Sequence, residues 1–122
     1  MHAVTTSRVA TLPVGYGDGL SRSLGKRGHV LVGGRAIGFA GRICMDLVMV
    51  DVTEIPDTKE GDEVVIIGSQ ADQRQTADDL ASVDGTINYV IVTQIRRRVP
   101  RRYHQGGRVV ATRTLLEGYV RI

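Results

Sequence analysis

Four short segments of this chain carry groups suited to holding anions. In Gly15-Tyr16-Gly17-Asp18-Gly19 a tyrosine stands between glycines, with an aspartate two residues on. Glycines so closely spaced let the backbone take φ above zero or approach another surface closely. The segment follows the apolar run Val9-Ala10-Thr11-Leu12, so a strand-end turn would present Tyr16. The same pattern also fits an ordinary Asp-Gly turn between two strands. In Gly41-Arg42-Ile43-Cys44-Met45-Asp46, an arginine and an aspartate bracket an apolar trio. An exposed backbone N–H there can bind a carboxylate, and Arg42 can hold acidic groups through its forked donors. A surface ion pair between Arg42 and Asp46 is the plainer alternative. In Asn88-Tyr89 the tyrosine hydroxyl can meet a phosphate oxygen or satisfy a buried backbone group. The run Arg96–Arg102 can bind phosphates, or serve as a solvated edge or a subunit contact. No aromatic stacking platform is visible beside it, so nucleic acid is not the expected partner.

Other chemistries find less support. Cys44 is the only cysteine, which excludes a disulfide framework and fits a cytoplasmic location. Its expected role is that of a small buried side chain. No His and Asp stand at a spacing that suggests a nucleophilic triad. His2, His29 and His104 are scattered, without metal-ligand spacing. No apolar stretch reaches membrane-spanning length, and the first six residues lack the apolar core of a signal peptide.

The elements that must position these segments are mostly strands. The 122 residues fit one domain, residues 1–122, able to bury about two thirds of its unfolded surface. Only 4% of residues are aromatic, with no Trp and one Phe, so the core must come from Val, Ile, Leu and Ala. Val9–Val14 reads as a strand and Ser21–Gly28 as a basic connection. His29–Val32 and Arg35–Ala40 flank Gly33-Gly34, a strong hairpin signal. Ile43–Val52 contains Leu47-Val48-Met49-Val50, consistent with a buried strand. Thr53–Gly61 is a polar loop and Glu63–Ile67 a further strand. Thr76-Ala77-Asp78-Asp79 opens a helix, with Thr76 as cap and two aspartates at the positive end of its dipole. A second helix is expected from Ile87 to about Arg97, with Ile87, Val90, Ile91 and Ile95 near one face. Val99–Tyr103 and Arg108–Thr112 read as final strands, and Leu115–Ile122 has no clear pattern. The sum is a mainly β fold, a small β-barrel or sandwich with one or two short helices.

Taken in order, Gly15–Gly19, Gly41–Asp46, Gly61-Asp62-Glu63-Val64, Thr86-Ile87-Asn88-Tyr89 and Arg98-Val99-Pro100-Arg101 resemble the C-terminal domain of alanine racemase, over about residues 7–103. Members of that family use pyridoxal phosphate to interconvert L- and D-alanine, supplying D-alanine for peptidoglycan. Their N-terminal part is a (β/α)₈ barrel and their C-terminal part is mostly β. The resemblance implies that the backbone of Met45 binds the substrate carboxylate in the partner subunit's site. It implies that Tyr89 hydrogen-bonds the cofactor phosphate, that Tyr16 lines the inner entrance, and that Arg22, Arg42 and Asp46 belong to the entrance beyond.

Two departures from the family pattern matter. Val90 replaces the glutamate that usually follows the Asn-Tyr pair. The family's two bases are a barrel lysine that carries the cofactor and a tyrosine in a Ser-Tyr-Gly segment; neither is among these residues. The expectation is therefore a domain that completes a partner's site in a head-to-tail homodimer with its N-terminal barrel. It would be inactive alone, binding no cofactor or metal by itself. The alternative is a stand-alone, non-catalytic binding or assembly module built on the same barrel.

Overall fold

The computed structural model describes residues 6–121. His2 and the reading of the first residues as lacking a signal peptide lie outside that range. Along the chain run β1 (Val9–Leu12), β2 (His29–Val32), β3 (Arg35–Gly38), β4 (Val48–Asp51), β5 (Val64–Val65), β6 (Gly68–Gln70) and β7 (Gln73–Gln75). The helices α1 (Ala77–Asp84) and α2 (Asn88–Thr93) follow, then β8 (Arg101–Gln105), β9 (Arg108–Thr114) and β10 (Gly118–Arg121). Two single 3₁₀ turns, Tyr16–Asp18 and Arg22–Gly25, lie between β1 and β2.

The strands pair antiparallel in four small sheets: β1 with β4, β3-β2-β5, β6 with β7, and β10-β9-β8. A single bridge between Phe39 and Val50 joins the first two sheets. The fold is mainly β with two helices, as expected, but among the described residues its ladders do not close into one barrel. Where the ladders break, a side chain bridges them. Gln75 is buried, and its Nε2 donates to His29 O at 2.9 Å and to Ile66 O at 2.7 Å. The two bonds offset the cost of burying the amide's N–H groups.

Leu24, Val30, Val48, Val50 and Val52 are almost wholly removed from solvent, and Leu20, Ile43, Leu80 and Ile91 pack on the same core. The core is aliphatic, as the composition requires. Its edges correct several expectations. Leu47-Val48-Met49-Val50 is not buried throughout: Leu47 and Met49 are exposed while Val48 and Val50 point inward. An antiparallel pair with one face on the core alternates in this way. The long strand read over Ile43–Val52 is strand only in β4, because residues 43–47 form a loop that docks on the first 3₁₀ turn. The strand read over Glu63–Ile67 is confined to β5, and β8 begins at Arg101, past Pro100. The expected helix from Ile87 to Arg97 ends at Thr93. Ile87 is its exposed N-cap, so of the four apolar positions only Ile91 is fully buried. The unplaced tail supplies β10, held partly by an edge-on contact of Tyr103 and Tyr119, ring centroids 5.9 Å apart. That pair is an aromatic feature beside the arginine run which the sequence reading missed. Among the described residues no helix is long and apolar enough to cross a membrane.

The start of α1 follows its sequence signal. Thr76 Oγ1 accepts from Asp79 N–H at 3.1 Å, and Asp79 Oδ2 accepts from Thr76 N–H at 2.7 Å. The Thr76 N–H, and then its hydroxyl, hold the Asp79 carboxyl below its ordinary value. Thr53 does the same to Asp51, its hydroxyl contributing more than its N–H. A carboxylate depressed in the folded state stabilises at pH above its unfolded value, and that stabilisation is lost as pH falls through the folded value. Denaturation at pH 7 and pH 3 should therefore show an acid loss of stability that Asp79→Asn reduces. An equal loss in the variant would show that the capping box does not titrate with folding.

Candidate functional site

Gly15–Gly19 is not a hairpin turn. It is a 3₁₀ turn wedged between two other backbone segments, and it organises the site. On one side Tyr16 N–H donates to Cys44 O and Gly17 N–H donates to Met45 O, each at 2.9 Å. On the other side Arg96 N–H donates to Asp18 O at 3.1 Å. The glycines serve different needs. Gly19 adopts φ +115°, a left-handed value that favours glycine. Gly15 is extended, but a Cβ on it would lie 2.5 Å from Met45 C. Close approach, not turn geometry, explains Gly15. Asp18 closes the turn by accepting Gly15 N–H on Oδ2 at 2.9 Å.

These bonds pin the loop that carries Met45. Buried Ile43 and Val48 anchor its ends in the core, while residues 44–47 are exposed between them. Cys44 N–H donates to Leu47 O at 3.1 Å, tightening the loop. Both peptide planes beside Met45 are held: Cys44 O by Tyr16 N–H, Met45 O by Gly17 N–H. Among the described residues the Met45 N–H itself has no acceptor. An exposed, oriented and unpaired N–H is suited to a ligand oxygen. Cys44 is exposed, not buried as expected, because the loop turns its side chain away from the core.

Arg98 completes the cluster. Its Nε is 2.6 Å from Asp18 Oδ1, and one terminal nitrogen is 2.7 Å from Asp46 Oδ1 and 3.3 Å from Met45 O. The two carboxylates, Asp46 foremost, raise the guanidinium above its ordinary value. The ion pair of Asp46 is thus with Arg98, not with Arg42. Arg42 is exposed and lines a shallow hollow with Arg22, Phe39 and Ile43. Arg22 lies over the Tyr16 ring at 5.8 Å from its centroid, a cation–π contact. Tyr16, Met45 and Asp46 therefore share one continuous cluster, with Arg22 beside Tyr16 and Arg42 across the hollow.

Tyr89 is set apart. It lies in the first turn of α2 with 72% of its surface exposed, and Asn88 Nδ2 ties that turn to α1 by donating to Asp78 Oδ1 at 2.8 Å. The far end of α2 leads into Gln94 and Ile95, whose backbone packs against Gly19. One support thus carries Tyr89 and the glycine turn, though no direct contact joins them. Sequence reasoning missed Asp18 and Arg98 as site residues. The Arg98-Val99-Pro100-Arg101 motif was visible, but nothing in its spacing said that Arg98 folds back to residues 18 and 46. Among the described residues no cluster of three or more His, Cys, Asp or Glu could hold a metal ion.

Residues 1–103 match the family described as "Alanine racemase, C-terminal domain". An alanine racemase of Halothermothrix orenii is 57% identical over 97 residues, covering 80% of this chain and 26% of that protein. One from Cutibacterium acnes is 52% identical over 99 residues, 81% of this chain and 26% of that protein. Among solved structures, alanine racemase from Bacillus anthracis with bound L-Ala-P superposes with a TM-score of 0.83 at 38% identity. The match covers 90% of this chain and 28% of that one. The Clostridium difficile enzyme in complex with cycloserine gives 0.80 at 39% identity, again over 90% and 28%. This chain spans little more than a quarter of these relatives' length. Sequence match and superposition agree, and the chain belongs to the alanine racemase C-terminal domain family.

Proposed function

We propose that this chain is the β domain of a pyridoxal-phosphate-dependent alanine racemase, an isomerase, and that it closes the active site of a partner subunit in a head-to-tail homodimer. The observation that carries the proposal is the Met45 N–H, which lies in an exposed residue, has no acceptor among the described residues, and has the peptides on both sides of it held by the glycine turn. In this role Met45 N–H receives the carboxylate of a small amino acid. Tyr16 and Arg22 narrow the approach, and Arg42 and Asp46 line its outer part. The two sheets holding β1–β4 and β2–β3–β5 around one core would form the small β-barrel of the family, opened at the ladder breaks. A cytoplasmic location goes with this reading, with D-alanine supplied to peptidoglycan synthesis.

The residues here fit pyridoxal phosphate as an edge contact only. Tyr89 has an exposed hydroxyl able to hydrogen-bond a phosphate held by the N-terminal barrel. The chain's two lysines, Lys26 and Lys59, are both exposed, and Lys26 lines the hollow with Arg22 and Arg42. The cofactor, when bound by the barrel, supplies the electron sink for chemistry at the α-carbon. What this chain adds is orientation. Holding a carboxylate at one fixed N–H restricts how the α-carbon faces the two bases, and restricted geometry lowers the barrier.

The test uses this chain fused behind the barrel of the Halothermothrix orenii relative. Met45→Pro deletes the N–H and leaves the carbonyl that Gly17 bonds. The KM for alanine should rise about tenfold or more, the worth of one charge-assisted hydrogen bond. An unchanged KM in a folded dimer would rule out the carboxylate role. Folded fusions that racemise no alanine at all would favour the non-catalytic module.

A further inference from the structure

From the geometry we infer that Arg98 is a positioning residue for the substrate carboxylate, acting through the Met45 loop and by neutralising the two aspartates beside it. The inference rests on the reading of Met45 just given.

Three observations support it. First, Arg98 reaches across 80 residues of sequence to Asp18 and 52 to Asp46, and also meets Met45 O. One guanidinium thus bolts together the glycine turn and the Met45 loop, the two segments that define the N–H. The planar fork suits this task because its donors diverge at fixed angles. Second, the bend that presents Arg98 is itself built. The Arg101 guanidinium donates to Ile95 O at 3.0 Å, Arg96 O at 2.5 Å and Val99 O at 2.7 Å. Those carbonyls lie beyond the end of α2 and have no strand partner. Arg101 therefore shapes the bend, leaving Arg98 free to face the site. Third, the charge balance requires a cation. Asp18 and Asp46 flank a site proposed to take an anion, and no other cation pairs with either among the described residues. Gly17 fits the same scheme, since a Cβ there would press on the Arg98 guanidinium.

Without Arg98, two uncompensated carboxylates would repel the incoming one. Like charges a few ångströms apart at a partly exposed site weaken binding by about tenfold. The repulsion would act on the carboxylate more than on the proton transfers, so KM should move further than kcat.

The experiment uses the same fused racemase with Arg98→Gln, Arg98→Lys and the double variant Arg98→Gln/Asp46→Asn. Alanine kinetics are read in both directions, with propionate as a competitive anion. For Arg98→Gln the KM and the propionate inhibition constant should rise together by about tenfold, with a smaller fall in kcat. Added salt should narrow the gap. Removing Asp46 as well should recover most of the loss, which a merely structural role would not predict. Arg98→Lys keeps the charge but not the fork, and should lie between. Should Arg98→Gln fail to fold, the lysine variant decides alone: an unchanged KM would overturn the inference. A fall in kcat with KM unchanged would overturn it as well. If Met45→Pro raises KM while the Arg98 variants do not, Arg98 is wrong and Met45 stands. If neither raises it, the Met45 reading has itself failed.

Discussion

Supplied with pyridoxal phosphate and pure L-alanine, this chain alone should leave the enantiomer unchanged, and no lysine-bound cofactor absorbance should survive dialysis. The expectation follows from the residues present. Racemisation needs one group to take the α-proton from one face and a second to return it to the other. In the family these are a cofactor-bearing lysine on the barrel and a tyrosine in a Ser-Tyr-Gly segment. The four tyrosines here stand in Gly15-Tyr16-Gly17, Asn88-Tyr89-Val90, Arg102-Tyr103-His104 and Gly118-Tyr119-Val120. None has the serine neighbour. Tyr16, the tyrosine of the Met45 cluster, is half-buried with Arg22 lying over its ring. A group that orients a substrate accelerates nothing when the bases it orients toward are missing, so the loss should be complete. The same chain behind a racemase barrel should convert alanine. Turnover by the chain alone, polarimetrically measured, would sink the proposed division of labour.

How much of this could be read in the sequence depended on the range of the interaction. The turn at Gly33-Gly34, the cap at Thr76 and the aliphatic core are local or compositional, and the structure keeps all of them. The positions of Tyr16, Met45 and Asp46 were legible only as a pattern of five motifs in order. What joins them was not. The sequence offers Arg42, four residues away, as one alternative partner for Asp46, because nearness in sequence is the only distance available there. Its partner is Arg98, brought in by the bend after α2. Cys44 was expected inside because small apolar side chains usually are. A loop hung between Ile43 and Val48, with its carbonyls given to the glycine turn, faces it outward instead. The second helix was overextended for a similar reason. Its apolar spacing continued past Thr93, but Ile95 serves the contact with Gly19 and not a further helical turn.

Gly15→Ala should unfold this chain more readily than any other single methyl addition to the glycine turn. The added Cβ would meet Cys44 O and both Met45 O and Met45 C, the last at 2.5 Å, and all are backbone atoms. No side-chain rotation can relieve the clash. The turn must withdraw from the loop, stretching the bonds from Tyr16 N–H to Cys44 O and from Gly17 N–H to Met45 O. Ile43 and Leu20, both buried, are tied to those two segments and would shift with them. Overpacking with loss of hydrogen bonds places the cost at about 3 kcal/mol or more, a fall of about 10 °C in melting temperature. Gly19→Ala should also be costly, through φ +115° and a Cβ 2.7 Å from Gln94 C, because it would lift the turn from the segment leading to Arg98. Gly38→Ala is the matched control. It lies in β3 with nothing within 4 Å of the new methyl, so its stability should stay within about 0.5 kcal/mol of the parent. Near-equal melting of the Gly15 and Gly38 variants would mean that the turn does not press on the Met45 loop. The Met45 N–H would then not be held in place by the glycine turn.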